Sequence, residues 1–469
     1  MLRALLTAPR VRAAAPDVES ARAGGAPRER FRILIVAPTA LDWQGRPITQ
    51  RKMYLPALTL PLLAAEAPAD CDVRLVYESV QRIPWDEPWD LVALTAMGSG
   101  IARAWQIADG FRERGRRVVL GGIATGLLPP ERSLAHADSV VVGDADEIWA
   151  DVVRDAQAGR LRPVYRAERR PSLDGLPAPR YDLMDPSAHG QWRPVQAARG
   201  CPFTCDYCSI TSYFGGLYRK RPVEEVVRDV RAAKRASSRH IAFVDDNMGV
   251  DFDYCAALWE ALVPERIVWM SQSSLQLSDR PDLLRLAHRS GCRVLSIGIE
   301  SLNARSLAAH GKPFNRPDEY GAALRRFREA GIEVSTEMIV GMDEDGPDVF
   351  DRTWRFLMDN HVTVPRVHIL TPIPGTPLWE RLEREGRIVT RDLGRFSGGR
   401  VVFRPAQLDP DDLLRRYWAL YERLFTPRAI VHRMWPNASG APPLIRGILW
   451  AVNLHYRYHI GRRITPGLV

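Results

Sequence analysis

The chain has 469 residues, 46% of them hydrophobic, and a net charge of +9. That is enough for two or three domains with a sizeable core. No apolar run approaches the ~18 residues of a membrane span, which excludes an integral α-helical membrane protein. The excess charge is arginine (Lys52, Lys220, Lys234 and Lys312 are the only lysines) and is spread along the chain. A nucleic-acid binder gathers such charge on one face among stacking aromatics, so no nucleic-acid partner is expected. An anionic membrane surface or acidic substrate suits it better. Cys71, Cys255 and Cys292 stand singly, which argues against a disulfide framework and for a reducing, cytoplasmic location.

Residues 1–30 are rich in Ala and Arg and are expected to form a disordered tail. From Phe31 to about residue 160, buried-strand runs alternate with helical patterns. The runs are Phe31–Ala37, Val73–Tyr77, Leu91–Thr95, Arg117–Gly122 and Ser139–Gly143, and Ile101–Arg114 has helical spacing. This alternation predicts an α/β, doubly wound Rossmann-like domain. Ligands in such sheets lie beyond the carboxyl ends of the strands. Candidate contacts there are Thr39, Ser99, Gly100, Gly121, Gly122 and Gly143, the glycines because they let a ligand approach the backbone closely. Residues 161–192 are rich in Pro and Arg and are expected to be an extended linker.

A second strand–helix alternation runs over residues 193–385. Its expected strands are Arg193–Ala198, Ile241–Val244, Ile267–Met270, Val294–Ile299, Val334–Val340 and Arg366–Leu370. Six such units predict a partial (β/α)6 barrel with its site at the carboxyl ends of the strands. Polar residues gather at those ends. Asp245 and Asp246 follow the second strand, Gln272 the third and Glu300 the fourth. Glu337 alternates into the barrel, where a carboxylate needs a partner such as an arginine or a ligand. Residues 386–469 are expected to be a helical extension. Leu408–Phe425 is amphipathic, and the last segment sets aromatics and arginines beside an apolar run. That composition fits a helix lying on a membrane or one packed over the barrel.

Half of the cysteines lie in Cys201-Pro202-Phe203-Thr204-Cys205-Asp206-Tyr207-Cys208. Closely spaced thiolates are soft ligands for zinc or an iron–sulfur cluster, and a four-iron cluster would keep one iron open to a small chelating molecule. Zinc would need a fourth ligand that no neighbouring motif offers.

The C-x3-C-x-aromatic-C spacing resembles the signature of the radical S-adenosylmethionine (SAM) enzymes. The resemblance implies that Cys201, Cys205 and Cys208 hold a [4Fe–4S] cluster whose fourth iron is chelated by SAM. It implies reductive cleavage of SAM to a 5′-deoxyadenosyl radical, with a flavodoxin- or ferredoxin-type electron donor. By the same resemblance Tyr207 and Pro374 lie against the adenine, Asp245 and Asp246 near the SAM amino group, and Glu300 at its ribose or carboxylate. The first domain resembles the cobalamin-binding domain that precedes the cluster domain in many of these proteins. It departs from the pattern at Thr39-Ala40-Leu41-Asp42-Trp43-Gln44-Gly45, which has no histidine, so cobalamin is expected without a histidine on cobalt. The C-terminal tail resembles that of hopanoid-methylase-like members.

The expected reaction is cobalamin-dependent C-methylation of an unactivated carbon on a hydrophobic lipid, pigment or natural product. Alternatives are an oxidative cyclase like the anaerobic Mg-protoporphyrin cyclases, or a cluster-bearing electron-transfer or cobalamin-sensing protein. The expected location is the cytoplasm, with peripheral contact at the inner face of the membrane.

Overall fold

A computed structural model describes residues 30–435 and 439–468. The expected tail falls outside this range at residues 1–29. The first sheet has six parallel strands: β1 (Phe31–Ala37), β2 (Cys71–Tyr77), β3 (Leu91–Thr95), β4 (Arg117–Gly121), β5 (Ser139–Val142) and β6 (Val164–Arg166). Their order is β2-β1-β3-β4-β5-β6, so the chain reverses direction across the sheet between β1 and β3. That switch point opens a crevice at the carboxyl edge. Ile33, Leu34, Ile35 and Val36 are all fully buried, because both sheet faces are covered. The Gly100–Glu113 helix packs Ile101, Ala104, Ile107, Ala108 and Phe111 against one face.

The stretch expected to be a linker differs. Val164–Arg166 adds the sixth strand, with Val140 paired to Val164 and Val142 to Arg166. The buried Tyr165 anchors it. The first sheet thus extends past residue 160, and the extended chain begins after Arg166.

The second sheet contains β7 (Arg193–Val195), then, after a short antiparallel pair β8 (Ala198–Arg199) and β9 (Arg219–Lys220), the strands β10 (His240–Phe243), β11 (Val268–Ser273), β12 (Cys292–Glu300), β13 (Glu333–Val340) and β14 (Val364–Ile369). The order β14-β13-β12-β11-β10-β7 is wholly parallel and leaves β14 and β7 unpaired with each other, which makes a partial barrel. Residues that point inward from this curved sheet remain accessible. Gln272 is exposed, and Asp246, Glu337 and His368 are half-buried.

The helix expected over Leu408–Phe425 spans Pro410–Leu424, capped by Asp409 accepting from the amides of Asp411 and Asp412. It buries Leu413, Tyr417, Leu420, Tyr421 and Leu424, and the Tyr421 hydroxyl donates to the carbonyl of Val367 on β14. The Pro443–Ile460 helix packs beside β14 as well, so the extension lies against that edge strand of the barrel.

Candidate active site

The loop with the three cysteines leaves β8 and is shaped by its neighbours. Gly200 has φ +92°, and a Cβ there would lie 2.0 Å from the carbonyl oxygen of Leu217. Only glycine fits this position. On the other side, a Cβ on Gly311 would lie 2.5 Å from the Thr204 carbonyl oxygen, so the 310–312 segment presses directly on the loop. His310 Nδ1 sits 2.7 Å from Asp206 Oδ1, and Phe203 stacks on Phe314 with ring centroids 4.3 Å apart.

Cys205 is buried, while Cys201 and Cys208 are half-buried. Burial raises the thiols of Cys201 and Cys205, the latter to about 11, and the nearby Cys208 adds to both. The Asn247 amide donates toward Cys201 Sγ at 3.8 Å. Among the described residues no group of three or more His, Cys, Asp or Glu converges on a single ion.

The two acidic residues after β10 divide. Asp245 is buried and accepts from the backbone N–H groups of Ala197 and Ala198, so its carboxylate faces the β7–β8 connection and not the barrel interior. Burial pushes its carboxyl up to about 7. Asp246 Oδ2 accepts from Gly200 N at 2.8 Å and remains half-buried on the inner face. Asp245 therefore shapes the cluster loop from behind, while Asp246 touches loop and interior together.

Glu300 ends β12 with φ +65°, beside an irregularity in the β12–β13 register. A left-handed non-glycine backbone is strained and is retained where its surroundings enforce it, often at functional sites. The enforcing partner is Lys312, whose Nζ donates to Glu300 Oε1 at 2.7 Å and to the Gly298 carbonyl at 3.0 Å. Glu300 holds the Lys312 ammonium against the cost of burial, and Cys205 and Cys208 add to that hold. Lys312 is thus a site residue that local pattern missed. Its only sequence signal is that it is one of four lysines among many arginines.

Glu337 points inward and has the expected arginine. Its carboxylate pairs with Arg366, accepts from Ser296 Oγ at 2.9 Å and lies 3.1 Å from His368 Nε2. Burial raises its carboxyl, but Arg366 and His368 more than offset this and hold it low. Gln272, on β11, is exposed. Tyr207 is half-buried, edge-on to His310 at 5.9 Å, with its phenol beside Cys205 and Glu300. Arg219 and Arg221, which flank the site in sequence, are engaged elsewhere. Arg219 lies 2.7 Å from Asp144, and Arg221 lies 2.7 Å from Asp229.

The first sheet meets the cluster loop through a buried ion-pair group. Arg199, two residues before Cys201, donates to both carboxylate oxygens of Asp146 at 2.6 and 3.1 Å. Asp144, from the same loop after β5, faces Arg219, Arg199 and Arg170. Gly143 starts that loop at φ +97°. Bidentate Arg–carboxylate pairs fix orientation as well as distance. The carboxyl edge of the first sheet is therefore tied to the base of the cluster loop.

A small apolar cleft, with a cavity volume of about 30 Å³, lies beside this junction. Gly98, Ile101, Ile123, Ala124, Leu127 and Leu128 line it from the first sheet, Ser209, Ile373 and Pro374 from the barrel, and Leu393 and Phe396 from the extension. Pro374 thus faces the first sheet. Gly122, at φ +98°, brings β3 and β4 together, since a Cβ there would lie 2.6 Å from the Ala96 carbonyl oxygen. Gly121 faces Val141, and Gly100 opens its helix below Pro38. Ser99 is buried. Thr39 is also buried, its hydroxyl donating to the Ile48 carbonyl and its N–H to Glu78. Its hydroxyl and N–H thus serve its own loop. Where a histidine would stand, the Asp42 side chain accepts from the amides of Gln44 and Arg46, and Trp43 is exposed.

Residues 195–357 match the family model described as the radical SAM superfamily. The chain carries a radical SAM domain. Such a domain uses a [4Fe–4S] cluster and SAM, and the chain is accordingly an enzyme of this class. A second model, described only as a domain of unknown function, matches residues 376–444 just after the radical SAM domain. The chain is 29% identical over 418 residues to bacteriochlorophyllide d C-12(1)-methyltransferase of Chlorobaculum tepidum, covering 87% of this chain and 89% of the relative. It is 24% identical over 438 residues to hopanoid C-2 methylase of Rhodopseudomonas palustris, covering 87% and 82%. Its fold is that of the radical SAM methyltransferase TsrM from Kitasatospora setae solved with tryptophan and a SAM analogue, at TM-score 0.64 and 16% identity over 92% of this chain and 99% of that one.

Proposed function

We propose that the chain is a cobalamin-dependent radical SAM methyltransferase that methylates an unactivated carbon of a hydrophobic substrate. The observation that carries this reading is the Arg199–Asp146 clamp, which fixes the thiol loop beside the apolar cleft of the first sheet. One-electron chemistry and a large neutral-faced cofactor would then meet across that junction. The named relatives, which act on a bacteriochlorophyllide and a hopanoid, support the hydrophobic substrate class.

In this reading Cys201, Cys205 and Cys208 ligate the cluster. When bound, the cluster supplies the electron that cleaves SAM to the 5′-deoxyadenosyl radical, and cobalamin carries the methyl group. Asp246 and Gln272 accept and donate hydrogen bonds to the amino-acid part of SAM. Glu300, oriented by Lys312, addresses its ribose or carboxylate. Glu337, Ser296, Arg366 and His368 form the deeper wall of the interior and orient the substrate. The cleft residues Ile101, Ala124, Leu127 and Phe396 would keep the cobalamin side of the junction dry. The protein thus contributes orientation and a dry, shaped space, while the cofactors carry the hard step.

The test is anaerobic reconstitution with SAM and a reductant. The expected result is 5′-deoxyadenosine from the native chain and none from Cys205→Ala, with cobalamin co-purifying in a form whose spectrum lacks histidine ligation. With methyl-labelled SAM, label should enter a pigment or lipid extract. Equal cleavage by Cys205→Ala, or cleavage without cobalamin retention in any reduction state, would sink the respective half of the reading.

A further inference from the structure

The Pro443–Ile460 helix has two faces of opposite use. Its inner face is firmly held. Asn453 is fully buried, accepts from Arg433 at 2.9 Å and donates to the Thr363 carbonyl at 3.0 Å. Ile445, Leu449 and Ile460 are buried, and Tyr456 reaches the Arg366 guanidinium of the barrel interior. The outer face carries Leu444, Gly447, Ala451, Leu454 and Tyr458, at helical spacing and all exposed. Leu444 is 58% exposed, Leu454 56% and Tyr458 55%. An outer helix face of a water-soluble domain is normally polar. This one has no charged residue along its centre.

The charge around it is one-sided. Residues 427–469 contain six arginines and no aspartate or glutamate, against a net charge of +9 for the whole chain. Arg433 is buried in the packing. Arg428, Arg457, Arg462 and Arg463 are exposed, with Arg462 laid over the Tyr458 ring at 3.6 Å. Arg463 makes a wholly surface pair with Glu422, which is worth little. Trp435, just before the helix, is 67% exposed. No described helix is long and apolar enough to cross a membrane.

We propose that this face is an interfacial docking surface for an anionic lipid bilayer. Leu444, Leu454 and Tyr458 would enter the boundary between headgroups and acyl chains, and the arginines would meet lipid phosphates. A second copy of the chain fits less well, because two faces built from an arginine-rich segment without Asp or Glu would repel each other. The inference stands on the helix alone and does not depend on the reaction proposed above. Its consequence for function is delivery. The chain following this helix returns to the barrel, where a Cβ on Gly467 would lie 3.4 Å from His368, so the docking face is joined to the barrel interior by a short segment.

The experiment is co-sedimentation of the anaerobically reconstituted full chain with vesicles of phosphatidylcholine, alone or mixed with phosphatidylglycerol. The native chain should sediment with the mixed vesicles and be released by salt. Leu444→Glu combined with Leu454→Glu should weaken this on the order of tenfold or more while leaving SAM cleavage unchanged. Should that variant lose its cluster, Arg462→Gln with Arg463→Gln, expected to weaken binding on the order of tenfold through charge alone, takes its place. The proposal is overturned if native protein ignores both vesicles, if it binds neutral vesicles equally well, or if both variants bind like native. It is overturned too if Leu454→Glu only dissolves a dimer, which would assign the face to a second copy.

Discussion

The two sheets of this molecule have the same plan and opposite chemistry at their carboxyl edges. Each has six parallel strands, and each turns its functional loops to one edge. The first edge is glycine and aliphatic side chains around a cleft, with its polar groups Thr39 and Asp42 used up internally. The second edge is thiols, carboxylates and the Lys312–Glu300 pair around an open interior. In the function proposed above, the first edge would take a large cofactor by shape and close backbone approach, and the second a small zwitterion by paired charges kept out of water. The ion pairs of Asp144 and Asp146 join the two edges, and they are where the designs meet.

Several substitutions would break that contrast. Gly200→Ala should have the largest effect, because its Cβ would collide with the Leu217 carbonyl at a left-handed backbone position. Iron content and SAM cleavage should both collapse, while cobalamin retention persists. Lys312→Met comes next. It leaves Glu300 mostly buried without its partner, a loss of about 3–5 kcal/mol for a buried pair, measurable by denaturant unfolding. Adding Glu300→Gln to it should recover part of the stability but none of the SAM affinity.

Ala124→Phe should act on the other edge alone. By filling the cleft it should lower cobalamin retention several-fold and leave 5′-deoxyadenosine formation intact, as checked by absorbance and product quantitation. The smallest effect concerns Glu66, whose carboxyl oxygens are buried without a hydrogen-bond partner among the described residues. Burial first, then the negative charge of Asp146, pushes its carboxyl up from 4.5 to about 8. The folded protein therefore keeps a proton that the unfolded chain has released between those values. Stability should decline as pH rises through that window, and Glu66→Gln should flatten the decline in unfolding experiments at pH 5 to 8.

Much of this was legible in the chain itself. The strand–helix alternation fixed both sheets to within a few residues, because buried strands and amphipathic helices carry their periods locally. The cysteine spacing marked the loop for the same reason, since its chemistry lies within eight residues. The expected linker instead holds a strand at Val164–Arg166, where three residues are too few for a period to register. Tertiary structure alone decided which charged groups are free. It turned Asp245 toward the Ala197 and Ala198 amides, assigned Arg219 to Asp144 and Arg221 to Asp229, and brought Lys312 to Glu300. It also tied Arg199 to Asp146, 53 residues away in the chain. Burial makes an unpaired charge costly, so each charge takes the partner that folding places beside it. Local pattern records which residues can pair, but only the packed chain determines which ones do.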